Sequence, residues 1–391
     1  MKTFLEQAHA LAPTLTETRR ALHMHPEIGF QEKWTTAFIT ERLQKLGVSI
    51  LPWGGETGVV GLLQGPEPGP VVALRADIDA LPVQEANDVS YRSTIDGCMH
   101  ACGHDAHIAC LLGAAELLAA KRATLKGSVK FIFQPAEELL AGATRMVEHG
   151  VLTNPDVDFI FGLHCMPELE VGRICLKEGP VMACVGSTKL LIQGKGGHGA
   201  IPDKAHDPVL AAAAVIQATQ SIVSRCVPPR EAVVITFGSI HGGTVGNVIP
   251  DTVELLGTVR GFNTELFDSL PATMDSLIAH TASAYGTKAD FAFTKVVPSV
   301  CNPVEDTNWI REPLGIIFGE SGILPATPTM GGEDFALYQQ KVPGIYCWFG
   351  TGNAARGITH GWHNPHFDID ETALPFAAAT YAQVAHDRLR R

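Results

Sequence analysis

Between residues 185 and 296 the chain follows an order that few folds accept: a strand (STKLLIQG), a helix (DPVLAAAAVIQATQSIVSR), two strands (AVVITFGSI and TVELLGTVRGF), a helix (ELFDSLPATMDSLIAHTASAYG) and a strand (DFAFTKVV). That is the split β-α-β-β-α-β order of a ferredoxin-like α+β domain. Strand and helix patterns run before it and resume after Pro298. The block is therefore expected as a satellite domain inserted into a larger α/β domain made of residues 1–184 and 297–391. In that larger domain a helix is expected over Phe4–Leu22, a loop at HMHPEIGF, and a second helix through TTAFITERLQKLG. GVVGLLQG, VVALRADI, VKFIFQP, VDFIFG and GIYCWFG read as strands. DAHIACLLGAAELLAA and LPFAAATYAQVAHDRL read as helices. The expected fold class is a mixed sheet with helices on both faces, and ligands in such sheets gather beyond the carboxyl ends of the strands.

Composition narrows the function classes. At 46% hydrophobic and 18% charged, 391 residues can bury more than one core. A formal charge of −12 without long acidic blocks argues against nucleic acid or an anionic membrane as partner. No stretch reaches the ~18–20 apolar residues of a membrane span, and VLAAAAVI fits a buried helix. Glu6, Gln7 and His9 stand where a secretory signal would carry an apolar core, so the cytoplasm is the expected compartment. Nine scattered cysteines point to free thiols or metal ligands rather than a disulfide framework.

The densest chemistry lies in CMHACGHDAH, which holds Cys98, His100, Cys102, His104, Asp105 and His107. Thiolate and imidazole suit borderline metals such as zinc, and Gly103 lets Cys102 and His104 turn toward one ion. A helix cap at Asp105 with bystander histidines is the bland alternative. Glu137 and Glu138 follow a strand end in QPAEE, where one carboxylate can bind metal while its neighbour takes a proton from water. Glutamates at a helix start are the competing explanation. His164 follows the apolar strand VDFIF, and His360, His363 and His366 crowd HGWHNPHFDID. Several ligand-type groups at loop and strand ends favour a metal site. Zinc-finger spacing is absent.

GKGGHG satisfies the dinucleotide pattern G-x-G-x-x-G, but Pro202 delays the helix and no acidic residue follows at ribose distance. Its glycines can instead carry His198 on an exposed loop, where it can donate to a developing oxyanion. Asn247 in GNVIP and Arg260 in TVRGF lie on or beside strands of the inserted block. Arg260 is either a salt-bridged edge residue or a bidentate clamp for a substrate carboxylate. Trp53, Phe335, Trp348 and Trp362 are core aromatics first and pocket candidates second.

RRALHMHPEIGFQE, RADIDALP, CMHACGHDAH, FQPAEE, GLHCMP, GKGGHGAIP, GTVGNVIP, GTVRGF, MGGEDFA and HNPHFDID together span nearly the whole chain. In this order they resemble the two-metal amidohydrolases that include hippurate hydrolase, N-acyl-amino-acid amidohydrolases and indole-acetyl-amino-acid hydrolases, relatives of carboxypeptidase G-type metallopeptidases. The resemblance implies metal ligation by Cys102, His104, Glu138, His164 and His363. It implies Glu137 as general base, His198 as oxyanion donor in cis or from a partner subunit, and Asn247 and Arg260 as contacts to the substrate carboxylate. Two divalent ions per subunit are implied, zinc or manganese, with cobalt or nickel also admitted by the donor set. The implied reaction is hydrolysis of an N-acyl amino acid, hippurate-like or otherwise, by a homodimer or higher oligomer joined through the satellite domain. One departure stands out: the wider peptidase family has His-x-Asp where this chain has Arg75-Ala76-Asp77. The rival readings are a di-metal aminopeptidase or dipeptidase, a cysteine hydrolase using Cys102, and a non-catalytic metal- or ligand-binding protein.

Overall fold

The structure, a computed structural model, describes residues 2–391. The chain divides into two compact units. The first runs from the amino terminus to Gly179 and adds Cys301–Thr327 and Asp334–Arg391; the second is Pro180–Val300 with Pro328–Glu333.

Unit 1 opens with α1 (Phe4–Ala10) and α2 (Ala12–His23), where a single helix was expected. Pro13 explains the break. It has no N–H to give to the preceding turn, and its fixed φ suits the first turn of a new helix. Thr3 and Glu6 close a reciprocal capping box on α1. After α3 (Lys33–Lys45) come β1 (Ser49–Leu51), β2 (Val59–Gln64) and β3 (Glu67–Asp77). These are followed by α4 (His104–Ala119), β4 (Lys126–Gln134), α5 (Gly142–Glu148), β5 (Phe159–Glu170) and β6 (Ile174–Leu176). The eight-stranded mixed sheet has the order β1, β2, β4, β3, β5, Gly344–Gly352, β6, Ile323–Pro325. Its four central strands, β4, β3, β5 and Gly344–Gly352, are mutually parallel. Helices cover them, so these strands are apolar almost throughout rather than alternating. Helix α4 is apolar on nearly every side because it is sandwiched between the sheet and helix Leu374–Arg388.

Unit 2 is a four-stranded antiparallel sheet in the order Val233–His241, Thr252–Gly261, Cys184–Gln193, Lys288–Val297. Helices Pro208–Ser221 and Thr264–Ala284 pack on it, giving the ferredoxin-like arrangement. Phe267, Leu270, Met274 and Ile278 recur at helical spacing and meet Leu190, Ile192, Val253 and Leu255. By length and composition Pro208–Cys226, with a mean hydropathy of 1.3, is apolar enough to cross a membrane, contrary to the expectation that no stretch would be. The run of alanines and valine explains this: Ala211, Ala212 and Val215 form the face buried against the sheet of unit 2.

One charged network ties the amino-terminal helices of unit 1 to α4. Arg19, fully buried, gives Nε to Asp105 Oδ2 (2.8 Å) and Nη2 to Asp368 (2.9 Å). His23 Nδ1 lies 2.7 Å from the same Asp105 oxygen. Burial alone would raise the Asp105 carboxyl, but Arg19 and His23 outweigh it and hold it far below its usual value. Asp105 is thus an anchor for α2, and the cap position of α4 falls to Gly103 instead. A carboxyl depressed in the folded state contributes stability above its unfolded value near ~4 and loses it as pH falls toward the folded value. Arg19→Leu should therefore cost about 3–5 kcal/mol at neutral pH by stranding the Asp105 charge. In urea titrations that deficit should shrink as pH drops below ~4.

Candidate functional site

The site of unit 1 lies where β3 and β4 end, beside the middle of β5. Asp77 closes β3 opposite Gln134 of β4, and the chain beyond each supplies Asp79 and Glu137–Glu138. His164 was expected just past its strand. It lies instead within β5, which outruns its pairing with β3 at Gly162 and continues beside Gly344–Gly352, with His164 opposite Trp348. The side chain still points out at the level where the neighbouring parallel strand has stopped.

Gly103 sets the geometry of the Cys102–His104 turn. It caps α4 with φ of +86°, and a Cβ there would lie 2.4 Å from Cys165 Sγ. Both the conformation and the space demand glycine. His104, the first residue of α4, is buried and gives Nδ1–H to the Asp79 carbonyl (2.9 Å). Its Nε2 is left 4.0 Å from Glu138 Oε1, and neither atom has a hydrogen bond. Glu138 Oε1 also lies 3.3 Å from His363 Nε2, a half-exposed imidazole. Cys102 Sγ lies within 4.8 Å of the His104 and Glu138 ligand atoms and 3.5 Å from His164 Nε2. His164 donates Nδ1–H to the Cys165 carbonyl (2.8 Å), so Nε2 presents its lone pair toward Cys102. The structure thus brings Cys102, His104, Glu138, His164 and His363 to one place.

Electrostatics there are out of balance without a cation. Burial pushes the Cys102 thiol far up, and Glu138, Cys165, Glu137 and Asp77 push it further. Burial opposes protonation of His104, yet Asp77, Asp79 and Glu138 win and raise it to about 10. The pull that charges His104 is the pull a bound cation would feel. Burial keeps His164 neutral, as a ligand imidazole must be. A sulfur, imidazole nitrogens and a carboxylate, with two buried atoms lacking partners, form a donor set that fits a divalent cation. His363 sits at φ of +63° with its N–H bonded to the Ala101 carbonyl (2.8 Å), a strained placement of the kind found at functional sites.

Asp77 and His107 also lie among these groups but are already committed. His107 gives Nδ1–H to Asp77 Oδ1 (2.5 Å) and accepts the Cys165 N–H at Nε2 (2.9 Å). The other Asp77 oxygen takes Arg75 Nη1 (2.7 Å). Arg75, fully buried, also gives Nε to Gln134 and Nη2 to Asp334 Oδ1 (3.1 Å). These residues frame the site rather than present free ligand atoms. In the sequence Arg75 and Asp77 stand out only as a departure and His107 only within a cluster, and Gln134 and Asp334 were given no role, although an arginine inside an apolar strand demands buried acids and RADIDALP and MGGEDFA contain them. Glu137 is buried, and its carboxylate lies within 4.8 Å of the Asp334 carboxylate. Residues 137–140 form a turn, not the start of a helix.

Several other candidates fall elsewhere. Cys98 turns its thiol to the Pro26 carbonyl, and His100 is buried among Asp105, His23 and Arg19. His360 and His366 lie against each other at the surface, with ring centres 5.3 Å apart and planes tilted by 34°. Trp53, Phe335 and Trp348 are core residues, whereas Trp362 stands edge-on to His164 at 5.2 Å.

In unit 2, GKGGHG opens no helix. Gly197–His198 forms a short ribbon with Val248–Ile249. Exposed His198 accepts the Ala200 N–H at Nδ1 (3.0 Å), which leaves Nε2 as its donor nitrogen. Asn247 is held beside it, its carbonyl taking the Gly199 N–H (2.9 Å). Arg260, half-buried on Thr252–Gly261, gives Nε to Thr258 Oγ1 (3.0 Å) and has no acidic partner among the described residues. The salt-bridged edge role is therefore not what holds it.

Comparison with known proteins agrees with this geometry. The sequence profile of Peptidase family M20/M25/M40 matches residues 73–387. The chain belongs to this family. It is 44% identical over 372 residues to the N-acetylcysteine deacetylase of Bacillus subtilis (strain 168), covering 95% of this chain and 96% of that protein. It is 40% identical to the IAA-amino acid hydrolase ILR1-like 4 of Arabidopsis thaliana, over 94% of this chain and 84% of the relative. Among solved structures, the Bacillus subtilis YXEP protein, described as a dinuclear metal binding peptidase from the M20 family, superposes with a TM-score of 0.85. That match is 40% identical and covers 98% of this chain and 99% of the other. The protein is a metal-dependent amidohydrolase of this family, and the family relationship and the ligand-type cluster together support two divalent ions.

Removing the one sulfur from the cluster gives a direct check. Cys102→Ala should lower the divalent metal retained after dialysis by at least about 10-fold in affinity, as loss of a first-sphere donor does. Unchanged stoichiometry and affinity by mass spectrometry and competitive titration would exclude Cys102 as a ligand.

Proposed function

We propose that this protein hydrolyses the amide bond of N-acyl amino acids, releasing a carboxylic acid and a free amino acid. The observation that carries the reading is the buried tandem of Glu137 and Glu138, with Glu138 facing His104 and His363, and Cys102 and His164 completing the ring. Relatives named for deacetylation of N-acetylcysteine and for hydrolysis of IAA-amino acids support the same bond type. Cys102, His104, Glu138, His164 and His363 would hold the ions, and the thiolate among them leans toward zinc, with manganese as the alternative. When bound, the ions acidify a water and polarise the acyl carbonyl.

Glu137 takes the proton from the attacking water and passes it to the leaving nitrogen as the C–N bond breaks. The acyl carbon leaves as a carboxylate and the amino group departs protonated. His198, whose Nε2 is its donor nitrogen, supplies a hydrogen bond to the developing oxyanion, worth about 3–4 kcal/mol in comparable sites. Arg260, without an acidic partner among the described residues, pairs with the substrate's carboxylate, assisted by Asn247. Replacing that carboxylate by an ester or amide should therefore cost activity. Unit 2 presents an exposed sheet edge at Val233–His241, with Val234 and Ile240 uncovered, which fits a homodimer or higher oligomer joined through this domain.

The test is a screen of metal-loaded protein against N-acetyl, N-benzoyl and indole-acetyl amino acids, with free dipeptides alongside and amine release as readout. Turnover of N-acylated amino acids over dipeptides is expected. Exclusive turnover of dipeptides would replace the reading with a peptidase. Glu137→Gln should lose at least about 100-fold in kcat with metal content unchanged.

A further inference from the structure

The loop that carries Glu137 is gripped from behind by two buried carboxylates. Glu32 stands at the cap position of α3, where its side chain would ordinarily serve the helix's own first N–H groups. Glu27 does that instead, accepting the Trp34 and Thr35 N–H groups at 3.0 and 2.9 Å. Glu32 is thereby released to turn into the interior, where it is fully buried and its Oε1 accepts the Ala136 N–H at 2.9 Å. Ala136 is a non-glycine residue in the left-handed region, at φ of +52°, immediately before Glu137. On the other side of Glu137, Asp79 Oδ2 accepts the Glu138 N–H at 3.0 Å. The same Asp79 offers its carbonyl to His104 Nδ1.

Close packing seals this arrangement. A Cβ on Gly29 would lie 3.1 Å from both Ala136 Cα and Cβ, so the segment leading to Glu32 presses directly on the loop. The Ala136 carbonyl receives the Ala141 and Gly142 N–H groups, which shuts the turn at its far end. Neither Glu32 nor Asp79 meets a lysine or arginine among the described residues. Asp79 Oδ1 lies 3.3 Å from His104 Nδ1, whereas Glu32 is buried without a cationic partner among the described residues, and both carboxylates hold a backbone N–H flanking Glu137.

We infer that Glu32 and Asp79 are positioning residues that bracket Glu137, with Glu32 holding Ala136 in its left-handed conformation so that the Glu137 carboxylate is aimed for proton transfer. The inference rests on the assignment of Glu137 as base. Burial, with Asp79 nearby, raises the Glu32 carboxyl to about 7, so a neutral amide of the same shape is a fair substitute. What matters is the acceptor oxygen and its reach.

The test compares Glu32→Gln, Glu32→Asp and Glu32→Ala in metal-loaded enzyme, on the best N-acyl amino acid of the screen. Glu32→Gln keeps the acceptor in place and should retain kcat within about 3-fold. Glu32→Asp withdraws it by one methylene and Glu32→Ala removes it; both should lose about 10–100-fold in kcat with KM and metal content within 2-fold, as a misplaced catalytic group does. If Glu32→Ala fails to fold, the contrast between Asp and Gln decides. Equal kcat in all folded variants overturns the inference, as does loss of metal in step with activity. Glu137→Gln run in parallel separates the two assignments: activity there overturns the base, whereas an inactive Glu137→Gln beside a fully active Glu32→Asp overturns only the bracket. A crystal structure of Glu32→Asp answers without any substrate. Ala136 still left-handed and Glu137 unmoved would refute the inference; a carboxylate displaced by about 1 Å or more supports it.

Discussion

Acidic groups crowded at the carboxyl ends of buried parallel strands set the terms for the rest of unit 1. Asp77, Asp79, Glu137, Glu138 and Asp334 are all mostly or wholly withdrawn from water. Each must find either a hydrogen-bond donor or a positive charge. Arg75 answers for Asp77 and Asp334, and His107 for the second oxygen of Asp77. The Glu138 N–H answers for one Asp79 oxygen and the Ala143 N–H for the remaining Asp334 oxygen. One Asp79 oxygen and Glu138 Oε1, both beside His104, are left without a hydrogen bond. The unanswered part of the ledger is where a divalent cation belongs.

This division of labour accounts for the departure at Arg75-Ala76-Asp77. An imidazole at the first position could itself bind a metal, whereas a guanidinium cannot. Arg75 therefore acts as a permanent internal cation behind the site, cross-linking β3, β4 and the segment at Asp334 through three partners. Cys102 then brings a negatively charged donor of its own when a cation displaces its proton.

Much of this was legible along the chain. The strand–helix order identified both layers, and the glycine in Cys102-Gly103-His104 gave away the turn, because only local backbone geometry was involved. Motif order found the ligand-type residues, but their shared location depends on strand register that no linear pattern reveals. The split between α1 and α2 was missed although Pro13 announces it, since the apolar spacing continues across the break. His164 was placed beyond its strand because sequence cannot tell where a neighbouring strand stops. Glu32 and Asp79 carried no signal at all: a lone glutamate before a helix reads as a cap, and only the structure shows Glu27 filling that duty.

The place of Gly344–Gly352 in the sheet governs the order of assembly. It lies parallel to β5 at the centre of unit 1, yet the whole of the ferredoxin-like segment intervenes along the chain. Unit 2 is built mostly from one continuous stretch, with a hairpin between Val233–His241 and Thr252–Gly261. The central sheet must wait for a distant strand, and non-local parallel pairing is intrinsically slow. A collapsed unit 2 would shorten the effective tether between β5 and its partner and so ease the closing of that sheet.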